Sequence, residues 1–158
     1  MYIFSFELSS AIEFDAAGNL FYLSIKLVHC SSKEVIELTS LVIESDEQFE
    51  WFEINENEIR SGEFPIQEKD QESIALTLST LTEESDPDDL ELFEKLYDYR
   101  SKHALSFAFR GQDVADIFVA KNFNRYEVSC VEGQYNYEVD IDSLFIEVAN
   151  VTSVLAKD

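Results

Sequence analysis

Residues 135–155 read YNYEVDIDSLFIEVANVTSVL, and the period of their apolar positions changes partway along. From Tyr135 to Ile141 larger and polar side chains alternate, the two-residue repeat of a strand with one buried face. Asp142 is an N-cap by residue type, and after it Leu144, Val148, Val151 and Leu155 recur at i, i+4, i+7 and i+11, a stripe along one side of a helix. A strand that runs into an amphipathic helix buries both apolar faces when the helix lies back on the sheet, which points to an α+β arrangement.

Working outward, the same alternation predicts strands at Tyr2 to Leu8, Leu20 to Cys30, Val35 to Ile43, Ser73 to Leu81, Ala104 to Phe109, Ile117 to Ala120 and Tyr126 to Val131. Turns are expected at Phe14 to Asn19, Ser31 to Glu34, Asn122 to Asn124 and Glu132 to Gln134. Asp46 and Glu47 after Ser45 suit a helix start, so residues 46–59 read as a helix, although Phe49, Trp51, Phe52 and Ile54 do not share one stripe. Asp86-Pro87-Asp88-Asp89 places a cap, a proline and carboxylates where a helix begins, predicting a helix from Pro87 to Arg100 that buries Leu90, Phe93, Leu96 and Tyr97. The expectation is one α+β domain over residues 1–158. Its sheet is mainly antiparallel, with two or three helices including the C-terminal amphipathic helix packed on the sheet.

Charge narrows the function. The chain has 158 residues with 33 acids and 11 bases, a formal net charge of -22, and 46% of its residues are hydrophobic, enough for a real core. Between residues 44 and 94 stand eighteen acids against Arg60 and Lys69, so -16 of the -22 comes from the middle third. Residues 95–125 are slightly basic. Such a field repels phosphates and anionic lipid, which disfavours nucleic-acid and membrane partners and favours a basic protein. No run is long enough to cross a bilayer, Met1 to Glu7 does not read as a secretory leader, and two cysteines make no disulfide framework. The expected compartment is the cytoplasm.

Catalytic and metal chemistry finds little support in the residues. His29, Cys30, His103 and Cys130 lack the paired spacing of a zinc site, and Asp86 to Asp89 lacks the glycine and final glutamate of a calcium loop. With four glycines there is no phosphate-binding loop and no Gly-x-Ser-x-Gly turn. The sheet aromatics, among them Phe4, Phe6, Tyr126 and Tyr137, read as cross-strand core pairs in a field of the wrong sign for nucleic acid. No enzyme, metal or cofactor is expected.

What remains is a surface. In Glu44 to Glu58 and in Glu83 to Glu94, carboxylates interleave with large apolar side chains, so steering charge lies beside possible anchors. The candidate partner-binding residues are Asp46, Glu47, Glu50, Trp51, Glu53, Glu56 and Glu58 in the first segment. In the second they are Glu83, Glu84, Asp88, Asp89, Glu91 and Glu94. Trp51 is either a core plug or an interface anchor, and Phe52 and Tyr99 are further candidate anchors.

In these two segments, on a chain without a catalytic motif, the protein resembles the small immunity proteins that bacteria make against their own secreted toxins. The resemblance is one of type, and the span from Glu44 to Glu94 that holds both segments is about a third of the chain. It implies a cytoplasmic protein that caps a basic toxin domain, often a nuclease. A DNA mimic that inhibits a nucleic-acid-binding protein, or an acidic adaptor domain that uses residues 95–125 as its working face, fits the same composition.

Overall fold

The computed structural model describes residues 1–11, 20–65 and 73–156. The fold is α+β, with a six-stranded mixed sheet in the order β3-β2-β1-β6-β5-β4. β1 (Tyr2–Ser10), β2 (Phe21–His29) and β3 (Val35–Ile43) form one antiparallel meander. β4 (Phe118–Asn122), β5 (Arg125–Cys130) and β6 (Tyr135–Asp140) form a second. The two meet where β1 runs parallel to β6, paired only at Tyr2 with Val139 and Ile3 with Asp140. Beyond that short contact the C-terminal helix α5 (Ile141–Leu155) serves β1's free amides: Phe4 N donates to Ser143 Oγ and Phe6 N to Glu147 Oε2, both at 2.9 Å. Buried backbone donors need a partner, and here helix side chains replace a strand.

The expected packing of α5 is found, with Leu144, Val148 and Val151 buried in the main core. Its cap lies two residues earlier than expected. Asp140, still extended at the end of β6, accepts the amide of Asp142, so the helix starts at Ile141.

Two expected strands are helical, and among the described residues five α-helices stand where two or three were expected. Ser73 to Leu81 belongs to α2 (Ile74–Glu84). Its alternating apolar and hydroxyl residues satisfy both periods: Ile74, Ala75 and Leu78 are buried while Leu76 points outward. The Thr77 and Thr82 hydroxyls donate back to the carbonyls of Ser73 and Leu78, which accommodates them on a helix. Tertiary contacts decide between the two periods. The fully buried carboxylate of Glu127 accepts Ile74 N at 2.6 Å, and Ser129 Oγ accepts Ala75 N at 3.2 Å, so β5 satisfies the helix's free N-terminal amides. Ala104 to Phe109 forms a bridge at Ala104 to Phe118 and then a single turn, α4 (Leu105–Ala108).

The segment 46–59 is helical as expected: a 3-10 turn at Asp46–Phe49 leads into α1 (Glu50–Ser61). α3 spans Leu90–His103 rather than Pro87 to Arg100. Asp86 accepts the amide of Asp88 in a local turn, and Asp89 is the cap that accepts Leu92 N. Of the expected stripe Leu96 is buried and Phe93 half-buried, whereas Leu90 and Tyr97 are 70% and 61% exposed; Tyr99 and His103 complete the buried face instead. The turns at Asn122 to Asn124 and Glu132 to Gln134 are found, with Phe123 and Gln134 at positive φ. The turn expected at Phe14 to Asn19 lies outside the described residues.

Helices cover both faces of the β4 end of the sheet. Val119 enters the main core with Phe49, Phe52 and Phe109, whereas its neighbours Phe118 and Ala120 enter a second core under α2 and α3. A strand buried on both faces reads as the continuous apolar run Ile117 to Ala120.

Candidate interaction surface

On α1 the acids form one stripe. Glu50, Glu53, Ile54, Asn57 and Glu58 are exposed at i, i+3, i+4, i+7 and i+8, opposite buried Phe52, Asn55 and Ile59. Phe49 and Phe52 are 1% and 0% exposed and meet Phe109 in the core, so the aromatics of this segment turn inward. Tyr99 is also buried, stacked on His103 at 3.9 Å. Phe52 and Tyr99 are therefore not available as surface anchors. Trp51 is half-buried: its indole N–H donates to the Ser101 carbonyl at 2.9 Å and its ring stands edge-on to Phe52, tying α1 to the end of α3. What α1 offers outside is Ile54, 76% exposed.

The second acidic segment forms the tip of the α2–α3 hairpin. Glu83, Glu84, Asp88, Asp89, Glu91 and Glu94 are all exposed there, beside Leu90. The two segments approach each other at Glu58, which shares a small cleft with Lys95, the ion-pair partner of Glu91, and diverge from there. α1 meets α3 at Ser101 and His103, and Leu90 at the tip stands eleven positions before Ser101, about 16 Å further along the helix.

Neutralisation is sparse. Among the ion pairs between described residues, two candidates take part: Glu56 with Arg60, which also binds Asp142, and Glu91 with Lys95. The Lys95 hydrogen bond holds the Glu91 carboxyl below its usual range. Asp46, half-buried, and Glu47, exposed, sit on the 3-10 turn before α1. Most of the basic stretch, by contrast, is neutralised internally. Arg100 binds Asp116, Lys102 binds Asp98, Lys95 binds Glu91, and Arg110 lies over the ring of Phe107.

Of the histidines and cysteines, His103 and Cys130 are buried. His103 is buried between two carbonyls, Nδ1 2.8 Å from Tyr99 O and Nε2 3.2 Å from Glu58 O, and burial pushes its pKa down. Burial likewise raises the Cys130 thiol. Among the described residues no group of three or more His, Cys, Asp or Glu is placed to hold a metal ion. No helix among them is long and apolar enough to cross a membrane.

One feature had no signal in the primary pattern. Between α2 and α3 an open groove of about 350 Å³ runs over Ala75, Leu78, Phe93, Leu96 and Phe118, bordered by Tyr97, Glu83 and Glu132. It exists because Ser73 to Leu81 is a helix, so a strand assignment hides it. No family model, curated protein or solved structure matches the chain.

Proposed function

We propose that the chain is a non-catalytic binding protein that caps a basic protein in the cytoplasm, as the toxin-immunity proteins it resembles do. The observation that carries this reading is the set of unneutralised carboxylates on the α1 stripe and the α2–α3 tip, each beside an exposed apolar side chain, Ile54 in one and Leu90 in the other. Carboxylates in such number raise the encounter rate with Lys- and Arg-rich surfaces, and an apolar contact slows dissociation. A toxin nuclease presents such a surface where it holds phosphate, so covering it blocks substrate.

The test is affinity capture from source-cell lysate supplemented with the product of the neighbouring upstream gene, at low and at raised salt. A single basic protein that survives the salt wash, with its activity lost on binding, is the expected result. Many basic proteins at low salt and none at raised salt would reduce the acidic surface to a solubility feature.

A further inference from the structure

The α2–α3 groove combines three properties that the rest of the acidic surface lacks together. Its floor is apolar, with Ala75 and Leu78 from α2, Leu96 and Phe93 from α3 and Phe118 from β4. Two of its lining residues, Tyr97 and Val131, are 61% and 39% exposed, so apolar surface reaches the rim itself. Its one lining cation, Arg100, is already bound to Asp116, whereas Glu83 and Glu132 face solvent with no cation partner among the described residues. The C-terminal end of α2 adds to this field, since its last turn holds no basic residue and its terminal carbonyls carry partial negative charge. Phobic floor and anionic rim together select one kind of occupant.

We infer that the groove is the docking site for an amphipathic helical segment of the basic partner. Its apolar side chains lie on Leu78, Phe93 and Leu96, and its Lys or Arg side chains reach Glu83, Glu132 and the end of α2. Recognition of this type places apolar residues one helical turn apart in a groove and leaves charge at the rim to set orientation. An acidic or neutral segment loses the rim contacts, and a basic segment without apolar residues leaves the floor wet. The inference rests on the binding reading above and names its surface.

The probe is a short helical peptide of Leu and Lys, amphipathic by design. Two controls accompany it, one with Ser in place of Leu and one with Glu in place of Lys. Binding to the full chain is measured by fluorescence polarisation, and the site by amide shifts in the isotope-labelled protein. The Leu–Lys peptide is expected to bind at least about tenfold more tightly than either control, with shifts confined to α2, α3 and residues 131–132. Thr82 is exposed at the groove's wall, so Thr82→Trp fills it from outside the core. This variant should weaken binding about tenfold with an unchanged circular dichroism spectrum. Glu83→Lys with Glu132→Lys should weaken binding and flatten its salt dependence, while Glu50→Lys with Glu53→Lys, on the α1 stripe and outside the groove lining, should weaken it less than the groove pair does.

Equal binding of the Ser–Lys peptide, no binding of the Leu–Lys peptide, or loss of binding through the α1 pair but not Thr82→Trp would overturn the groove. Should the groove fail while capture of a basic protein holds, the interface moves to α1 and the functional reading stands. Should capture fail while the peptide maps to the groove, the functional reading falls and the docking chemistry stands.

Discussion

The two acidic segments look alike in composition and differ in what they leave at the surface. On α1 the helix phase turns Phe49 and Phe52 into the core and leaves a charged stripe around Ile54, so the apolar content of the segment holds the fold together. At the α2–α3 hairpin, Leu90 and Tyr97 stay outside and Phe93 lines an open groove, so apolar content there remains free for another molecule. Interleaved charge and aromatic residues do not by themselves mark an interface. The phase of the helix decides whether the aromatic is an anchor or a core residue.

Several substitutions sharpen that contrast. The largest effect is expected from Phe52→Ala, which opens a cavity among Phe49, Trp51 and Phe109 and should cost about 3–5 kcal/mol in urea denaturation. A loss below about 1 kcal/mol would mean that α1's aromatics do not hold it to the core. Glu127→Ala acts on the other segment. It strips Ile74 N and Asn122 Nδ2 of a carboxyl acceptor in a fully buried site, an expected cost of about 2–3 kcal/mol, with faster hydrogen exchange in the first turn of α2 than in α1. Equal exchange in both helices would show that α2 is held by something else.

His103 joins the segments, because it stacks on Tyr99 of α3 and reaches Glu58 O at the end of α1. Burial lowers its folded-state pKa below 6.5, so below that value the unfolded chain binds more protons than the folded one. Stability is therefore fully present above about pH 6.5 and falls as pH drops toward the lowered value, by at most about 1.4 kcal/mol per pH unit. His103→Gln should remove that part of the slope between pH 7.5 and 5.5, and an unchanged slope would place the acid sensitivity elsewhere. The smallest effect belongs to Ile54→Ala, expected within about 0.5 kcal/mol because the side chain is 76% exposed.

Much of the fold is legible in local pattern. The period change after Tyr135, the alternation in β1 to β3 and the glycine- and asparagine-bearing turns between β4, β5 and β6 all translate directly into elements. What escapes is decided by contacts distant in sequence. Ser73 to Leu81 fits a strand and a helix equally well until Glu127 and Ser129, more than fifty residues away, accept its first amides. The start of α3 is misread because Asp86 and Asp89 are both capping residues by type, and its buried face is set by distant partners, Phe64 against Tyr99 and Glu58 O against His103. The parallel contact between β1 and β6 is invisible for the same reason, since it joins the two ends of the chain. For the candidate surface, the exposure of the acids is legible from residue type. That Glu56 is bound to Arg60, and that a groove opens beside Glu83, depends on which faces the helices turn.

The contrast between the segments meets its most direct test in the salt dependence of the dissociation constant for the basic protein retained in the capture experiment. Wild type is compared with a hairpin-reversed variant, Glu83→Lys with Glu84→Lys and Asp88→Lys, and with a stripe-reversed variant, Glu50→Lys with Glu53→Lys and Glu58→Lys. Docking at the hairpin predicts that the first variant loses at least about tenfold in affinity at low salt and most of the salt slope, while the second stays within about threefold. The opposite order, with stripe reversal abolishing binding and hairpin reversal harmless, would contradict the assignment and make α1 the working face.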